Sequence, residues 1–397
     1  MDMGEGSIVG DTPAGRLAPA DMARQAGRAS LAAALVDARE RSLRLFAAYE
    51  AALGPDLRVP CWPELNPPLW ELGHVGWFAD WWIARNPQLS RGVQADPLAP
   101  RRLARQARRG VDADALYDSS TVAHDHRWQL HLPGAQDTRA DLSASLDDTL
   151  ECLHTATEDD RGLYFFRLAL FHEDMHAEAA VTMAQTLGID VGHRPPVTFT
   201  APAETRVSAT RWLQGWSGPG FAFDNERDAH EVAVEAFEID TGAVTWARYL
   251  PMVDAGLAAV PRHLRRSDDG WQTRANGCWQ ALDSRAAACH LSATEAQAWC
   301  RWAGRRLPTE AEWEVAAHAV PGFVWGEVWE WTASAFAPFP GFVPHPYRDY
   351  SQPWFDGRPV LKGASSATHA RLRHPRYRNY FSAERNDLFA GFRSVRA

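Results

Sequence analysis

Two histidines four residues apart, His172 and His176, lie in a segment whose apolar residues recur with helical spacing. An α-helix has about 3.6 residues per turn, so both imidazoles project from one face, close enough to bind a single metal ion. The apolar residues on that face are Phe165, Leu168, Ala169, Ala179 and Met183. We therefore predict a helix over residues 159–187, ended by Gly188, with its histidines turned inward. The pair alone fits either a metal site or a buried pair satisfied by neighbouring carboxylates.

Three earlier segments carry similar apolar stripes, over residues 30–53, 67–85 and 137–153. Asn66 and Asp137 are predicted to cap the second and third of these helices. In the second helix, one inward stripe is formed by Trp70, His74, Trp77 and Trp81. A lone histidine on such a face is more often a hydrogen-bonded core residue than a metal ligand. His74 becomes a candidate ligand because the later helix also turns two histidines inward. Four amphipathic helices with one long connection predict a bundle, whose interior commonly holds metal sites.

The long connection, residues 86–136, is rich in Pro, Arg, Gly and Asp. It holds His124, His126 and His131 near Tyr117. Because these histidines lack helical spacing, they are the less favoured set of metal ligands. A basic run in the same stretch, RRLARQARR at residues 101–109, is predicted to be a solvated loop or short helix rather than an anion site.

The second half of the chain has a different pattern. Short strand-like segments occur at residues 231–239, around Trp279 and at 358–362, separated by Gly, Pro and Asp turns. One helix is predicted at 292–303, and Thr309 with Glu312 forms a capping box that starts another. Pro195-Pro196 marks the expected boundary. The predicted organisation is a partly disordered tail over residues 1–28, a helical bundle over 29–190 and an α+β domain over 200–397.

Length and charge exclude several classes of protein. The chain has 397 residues and a formal net charge of −9, which argues against a nucleic-acid or anionic-membrane surface as its main partner. No uncharged run is long enough to span a bilayer, and the N-terminal stretch has no apolar core typical of a signal peptide. Five scattered cysteines, without a Cys-x-x-Cys motif, favour free thiols in a reducing cytosol. We expect a cytoplasmic enzyme or binding protein with small-molecule partners.

The segment containing His172 and His176 matches the short His-Glu-x-x-His pattern of zinc proteases, in which Glu173 would be the general base. The longer version of that pattern needs Gly and His where this chain has Ala179 and Thr182. The other reading is a three-histidine site completed by His74, suited to a zinc hydrolase or to non-haem Fe(II).

In the three-histidine site, neighbouring carboxylates are expected to orient the imidazoles. The candidates for this role are Glu173, Asp174 and Glu178.

The segments PLWELGHVG at 68–76 and HEDMHAE at 172–178 resemble the two iron-binding segments of the ergothioneine sulfoxide synthase family. The second half resembles the domain shared with formylglycine-generating enzymes. The matching pieces are FDNER at 223–227, AHEV at 229–232, RLPTEAEWE at 306–314, WEWT at 329–332 and GFR at 391–393. This resemblance implies a DinB-like four-helix bundle followed by a C-type-lectin-like domain, with the active site between them. It also implies Fe(II) on His74, His172 and His176, and hercynine and O2 as substrates.

The chain departs from that family at the expected substrate site. It reads Arg378-Asn379-Tyr380-Phe381 where the family often has Arg-Asn-Trp-Asp. By resemblance, Asn379 and Tyr380 position hercynine, and Phe381 replaces a carboxylate that binds the donor. Arg385 is retained.

Other positions also differ from the family. Met175 stands where the family can carry a substrate-binding glutamine, and no tyrosine follows residues 329–332 until Tyr347. That absence leaves the proton donor open, with Tyr380 and Tyr347 as candidates. No cysteine follows Cys300, which argues against formylglycine-generating activity.

The loss of polar groups at the donor site favours a neutral sugar donor. LYDSS at 116–120, with Arg127, Trp128 and Leu130, resembles the selenoneine synthase branch of the family. The resemblance implies formation of a carbon–selenium bond between imidazole C2 of hercynine and a selenosugar. A thiol donor, γ-glutamylcysteine or cysteine, is the first alternative. A zinc hydrolase and a non-catalytic binding module are the more distant ones.

Overall fold

Helices make up the first half of the chain. The structure is a computed structural model that describes residues 18–194 and 203–397. The helices of the first half are α1 (Pro19–Arg24), α2 (Arg28–Leu53), α3 (Pro68–Ala79), α4 (Ala113–Tyr117), α5 (Ala135–Thr155) and α6 (Tyr164–Leu187). α3 continues into a π-helical turn, Asp80–Ala84. The four predicted amphipathic helices are confirmed, and Gly188 ends α6 in the left-handed conformation (φ 78°) that a glycine adopts without strain.

Two predicted caps were wrong. α3 begins at Pro68, and the Asn66 side chain instead donates a hydrogen bond to Glu71. α5 begins at Ala135, which places Asp137 inside its first turn. Because proline has no N–H to leave unpaired, the Pro67–Pro68 pair starts the helix without a side-chain cap.

The predicted disordered tail is also corrected in part. Residues 1–17 lie outside the described residues. Residues 18–28 are ordered against the second half, because the buried side chain of Arg24 forms an ion pair of 2.7 Å with the buried carboxylate of Glu226. This contact ties α1 to the sheet-containing half.

The second half contains thirteen strands and three helices among the described residues. The helices are α7 (Trp246–Asp254), α8 (Ala293–Trp302) and α9 (Glu310–Ala319). The strands are β1 (Glu204–Val207), β2 (Thr210–Gln214), β3 (His230–Val234), β4 (Phe237–Asp240), β5 (Leu264–Ser267), β6 (Gly270–Ala275), β7 (Cys278–Ala281), β8 (Arg305–Arg306), β9 (Trp329–Ala335), β10 (Pro359–Gly363), β11 (Asn379–Tyr380), β12 (Ala390–Gly391) and β13 (Val395–Arg396). The predicted capping box of Thr309 and Glu312 before α9 is confirmed. The structure adds a second capping box, at Ser292 before the predicted helix α8.

These strands form small sheets rather than one continuous sheet. Two four-stranded sheets have the orders β1-β4-β13-β8 and β11-β10-β9-β12. A two-stranded β2-β3 pair and a three-stranded β5-β6-β7 sheet complete the set. The three predicted strand regions coincide with strands of these sheets. The predicted boundary at Pro195-Pro196 lies outside the described residues.

One apolar core extends across the seam between the two halves. It joins Trp70 and Phe165 from the helices with Trp331 and Phe392 from the sheets. No helix of the described part of the chain is long and apolar enough to cross a membrane. All five cysteines are free thiols. The basic run at 101–109 is a loop with a short 3₁₀ turn, and Arg105 and Arg109 pair with carboxylates.

Candidate metal site and adjoining cavity

The three predicted histidines meet in the interior. α3 supplies His74, and α6 supplies His172 and His176 from adjacent turns. One ligand atom from each residue lies within 4.8 Å of the others, and the Nε2 atoms of His74 and His172 are 3.3 Å apart. Among residues 18–194 and 203–397, this is the one group of three or more His, Cys, Asp or Glu side chains close enough to hold a metal ion.

Two of the imidazoles are held through their Nδ1 atoms. Nδ1 of His74 lies 2.7 Å from the carbonyl oxygen of Tyr117, and Nδ1 of His176 lies 2.6 Å from Oε2 of Glu71. A carbonyl and a carboxylate oxygen accept hydrogen bonds, so both Nδ1 atoms donate, and the Nε2 lone pairs remain for a metal. Phe78 stacks on His172 with ring centres 3.5 Å apart and fixes the third ring.

The site favours neutral imidazoles. Burial, reinforced by neighbouring His176, lowers the pKa of His74 to about 3. Burial likewise lowers the pKa of His172 well below its usual value. Burial alone would raise the pKa of Glu71, but the charge of the adjoining His176 brings that pKa below its usual value. The result is two neutral imidazoles, those of His74 and His172, beside an ionised Glu71.

This donor set fits a first-row metal ion. A metal held by imidazole nitrogens at about 2.0–2.1 Å places neighbouring ligand atoms about 2.9–3.4 Å apart. The observed 3.3 Å between the Nε2 atoms of His74 and His172 lies in that range. Three imidazoles also leave further coordination positions for substrates.

The three carboxylates predicted to orient the histidines do not contact them. Glu173 forms a buried ion pair with Arg39 of α2, at 2.9 Å. Asp174 makes two hydrogen bonds of 2.9 Å with Arg371. Glu178 accepts hydrogen bonds from side chains of the second half. The prediction was wrong, and the pairing of Glu173 also removes the general base that a zinc protease would need.

The carboxylate that does contact a histidine is Glu71, which the sequence analysis missed. Its Oε1 accepts a hydrogen bond of 2.6 Å from the amide of Asn66, and Asn66 in turn accepts one of 2.9 Å from Arg127. The guanidinium of Arg127 lies 3.8 Å from the ring centre of Trp70. A sequence signal existed, because Glu71 lies three residues before His74 and shares its helix face.

A cavity of about 250 Å³, called the inner cavity below, adjoins Glu71, and the three histidines themselves lie behind its walls. Its walls include Glu71, which contacts His176, and four of the predicted substrate residues. Those four residues are Met175, Asn379, Phe381 and Arg385. The structure therefore brings them together around one space, which Glu71 links to the histidine cluster.

The two predicted proton donors lie elsewhere. Tyr380 is absent from the inner-cavity walls, and its ring stacks on Phe336 with centres 3.9 Å apart. Tyr347 packs edge-on against Phe78, with its ring centre 6.3 Å from that of His172. The prediction for both tyrosines remains untested.

A third tyrosine, Tyr377, lines the inner cavity directly. Its hydroxyl donates to Sδ of Met175 at 3.3 Å and accepts from the hydroxyl of Tyr350 at 3.0 Å. Burial raises the pKa of Tyr377 above its usual value, so its oxygen keeps its proton at neutral pH. The sequence analysis overlooked this residue, although it lies two positions before Asn379.

Of the less favoured histidines, His124 makes a structural contact. Nε2 of His124 lies 2.8 Å from the carbonyl oxygen of Leu65, so this ring anchors the long connection to the chain before α3. His124 also lines the inner cavity.

The fold and the site together define a class: a helical half bearing three inward histidines, joined to a sheet-containing half. Residues 194–325 match the family model described as the sulfatase-modifying factor enzyme 1-like domain. The hercynine oxygenase of Mycolicibacterium smegmatis is 30% identical over 445 residues, covering 92% of this chain and 98% of that protein. The hercynine oxygenase of Mycobacterium tuberculosis is 29% identical, covering 91% of this chain and 97% of that protein. The formylglycine-generating enzyme of Streptomyces coelicolor is 32% identical over 143 residues, covering 28% of this chain and 46% of that enzyme. The chain belongs to the hercynine oxygenase family.

Proposed function

We propose that this protein is a non-haem iron enzyme that consumes O2 and joins imidazole C2 of hercynine to the selenium of a selenosugar. The observation that carries the proposal is that Glu71, which contacts His176 of the three-histidine cluster, also lines the cavity walled by the predicted substrate residues. Bound to these three nitrogens, Fe(II) would supply the activation of O2. The chain's own residues bind and orient the two organic substrates.

The inner cavity suits the trimethylammonium group of hercynine. Aromatic rings of Trp329, Tyr377 and Phe381 line it, and a quaternary ammonium is attracted to aromatic faces. Glu178 lines the same space, and its Oε1 accepts a hydrogen bond of 2.7 Å from Trp329. Burial raises the pKa of Glu178, and a bound cation would favour its ionised form. Asn379, which was predicted to position hercynine, also lines this cavity and offers its side-chain amide as a polar contact.

The donor side of the cavity disfavours a charged dipeptide. Phe381 offers a ring in place of a carboxylate, and the guanidinium of Arg385 is already occupied by Asp387 through hydrogen bonds of 2.5 and 2.6 Å. Arg385 also lies over the ring of Phe381, at 5.2 Å from its centre. A carboxylate ligand would have to compete with Asp387, whereas a neutral sugar can pack its C–H faces on Phe381. This arrangement supports the selenosugar over γ-glutamylcysteine.

Tyr377 is the proton donor that the geometry favours over Tyr380. Its O–H points at Sδ of Met175, a weak acceptor that a substrate atom in the cavity can displace. Tyr350 donates to the same oxygen and would stabilise the phenolate left after proton transfer.

The proposal includes a fold type for each half of the chain. We assign the helical half, residues 29–190, to a DinB-like bundle, and residues 200–397 to a formylglycine-generating-enzyme-like domain. The active site lies at their seam, since α6 supplies two histidines and also Asp174, which Arg371 of the second half binds.

The test is a competition assay with protein loaded anaerobically with Fe(II), started by adding hercynine and air. A selenosugar and γ-glutamylcysteine compete in one tube, and mass spectrometry identifies the products. We expect a selenium-containing imidazole product. A sulfoxide formed from the thiol alone would overturn the donor assignment and leave the iron site and hercynine in place. No product from either donor would overturn the proposed reaction.

A further inference from the structure

A pocket of about 220 Å³, called the seam pocket below, lies between the two halves and shares no residue with the inner cavity. It is bounded by the 3₁₀ turn Leu89–Gln94, the start of α6 and the loop of the second half that contains Gly220. One carboxylate, that of Asp160, and four guanidinium groups line it. The four arginines are Arg91, Arg161, Arg167 and Arg227. In a chain with a net charge of −9, the pocket is a local excess of positive charge.

Asp160 neutralises only one of the four guanidinium groups. Its Oδ1 accepts a hydrogen bond of 2.8 Å from the buried side chain of Arg167, and its Oδ2 accepts one of 2.8 Å from the backbone N–H of Gly220. Burial alone would raise the pKa of Asp160, but these hydrogen bonds and the charges of Arg167 and Arg227 bring that pKa below its usual value. The carboxylate is therefore ionised and already engaged. Three positive charges remain without a counter-ion in the pocket walls.

These three charges belong to Arg91, Arg161 and Arg227, which form no ion pair with a carboxylate in the part of the chain that the structure describes. Arg227 donates a hydrogen bond of 3.0 Å to the carbonyl oxygen of Gly220, and this contact orients the guanidinium without neutralising it. In the basic run at 101–109, by contrast, two arginines pair with carboxylates. The seam pocket therefore has an unbalanced charge that the basic run has in part compensated.

The positive potential extends to the floor of the pocket. Tyr164 lines the floor, and its hydroxyl lies 3.0 Å from Nδ1 of His345. Burial, reinforced by the charge of Arg227, lowers the pKa of His345 to about 3. Because α6 begins at Tyr164, the positive end of its helix dipole lies at the same wall. The floor and the arginines therefore attract an anion together.

Close backbone packing holds two of the arginines near each other. Gly92 has a φ of 52°, and a Cβ atom there would lie 2.7 Å from the carbonyl oxygen of Arg161 and 3.2 Å from its Cγ. Glycine permits this approach, which brings the backbone of Arg91 next to Arg161. Like charges held close together repel, and an anion between them relieves that repulsion.

We propose that the seam pocket binds a phosphoryl group, as inorganic phosphate or as a small phosphate monoester. Guanidinium groups bind phosphate oxygens through paired hydrogen bonds. A phosphate monoester carries about −1.5 to −2 charges at neutral pH, which balances three guanidinium groups better than one carboxylate does. The pocket is smaller than the about 300–1,000 Å³ of sites for drug-sized ligands, so only a small group can be attached to the phosphate.

A bound phosphoryl group would also fasten the two halves together. Arg91 and Arg161 belong to the helical half, and Arg227 belongs to the sheet-containing half. A ligand that binds the folded chain stabilises it in proportion to its occupancy. The inference is independent of the proposed function, because the seam pocket lies apart from the inner cavity.

The experiment measures binding of inorganic phosphate, glucose 6-phosphate and glucose to the metal-free full chain by calorimetry at constant ionic strength. We expect both phosphates to bind at one site per chain and glucose not to bind. Arg161→Gln removes one unbalanced charge and should weaken phosphate binding at least about tenfold, as expected for a charge-assisted hydrogen bond. The matched control is Arg108→Gln, because Arg108 is an exposed arginine of the basic run and has no carboxylate partner among the described residues. This control should bind phosphate as the unmodified chain does.

A second variant changes the charge of the pocket without removing an arginine. Gln94 lines the mouth, and Gln94→Glu adds a carboxylate at nearly equal volume. It should weaken phosphate binding at least about tenfold. Phosphate should raise the thermal unfolding midpoint of the unmodified chain and leave that of Gln94→Glu unchanged. Hercynine binding should stay within twofold in both pocket variants.

Tighter binding of glucose 6-phosphate than of inorganic phosphate would identify a monoester, and equal affinity would identify free phosphate; both results support the site. Failure of both phosphates to bind the unmodified chain would overturn the proposal. Equal losses in Arg161→Gln and Arg108→Gln would also overturn it, because they would show attraction to surface charge in general. Unchanged affinity in both Arg161→Gln and Gln94→Glu would place the phosphate elsewhere.

Discussion

The contact between Glu71 and His176 offers a direct perturbation of the metal site. Glu71→Gln keeps the side-chain volume and removes the negative charge that faces Nδ1 of His176 at 2.6 Å. Carboxylates in this position raise the basicity of the ligand nitrogen, and their removal typically costs about 10–100-fold in metal affinity. That range equals about 1.4–2.7 kcal/mol of binding free energy. We expect the upper part of it, because Asn66 and Arg127 hold the carboxylate in place.

The assay is an anaerobic competition titration of Fe(II), with Co(II) as a spectroscopic substitute. Glu173→Gln is the matched control. Glu173 is also a buried glutamate next to a histidine, but its partner is Arg39. The control should lose stability and keep its metal affinity within about threefold, a change smaller than 1 kcal/mol. Equal metal affinity in Glu71→Gln and the unmodified chain, or a larger loss in Glu173→Gln, would refute the reasoning.

Three further outcomes follow from the structure. Tyr377→Phe should lower turnover at least about 100-fold while hercynine binding stays within threefold, and an unchanged rate would remove Tyr377 as proton donor. Asp174→Asn leaves Arg371 with the half-exposed Asp37 as a remaining partner and should lower the unfolding free energy by about 3 kcal/mol in urea titration, the lower end for a broken buried ion pair; a loss below 1 kcal/mol would contradict this coupling. Burial lowers the pKa of His290 to about 4 and of His345 to about 3. These two histidines therefore take up protons at a higher pH in the unfolded chain than in the folded one. As the pH falls below about 6.5, the free energy of unfolding should decrease by about 1.4 kcal/mol per pH unit for each histidine. A flat profile between pH 6.5 and 4 would argue that these rings are not buried in solution.

The three histidines could be predicted from helical spacing, because that spacing is a local property of the sequence. Residues four apart share a face whatever the rest of the chain does, so His172 and His176 came together as expected. His74 followed from the same rule applied to the tryptophan stripe of α3. The failure at Glu173 has the same geometric origin. A residue adjacent to a ligand projects about 100° further round the helix axis, and Glu173 therefore faces Arg39 of α2 instead of the metal site.

Contacts between segments that are far apart in the chain could not be predicted from the sequence. The carbonyl of Tyr117 reaches His74 because the long connection folds back over α3, and no local pattern specifies that path. Tyr377 meets Met175 across 202 positions of chain.

In the proposed function, three histidines hold one metal ion which hercynine approaches from the inner cavity. Cobalt substitution tests it most directly, because the visible absorption of Co(II) reports its ligands and their rearrangement. We expect one Co(II) per chain, a spectrum that changes when hercynine is added, and loss of Co(II) binding in His74→Ala. Co(II) bound with unchanged affinity in His74→Ala, or a spectrum indifferent to saturating hercynine, would contradict it.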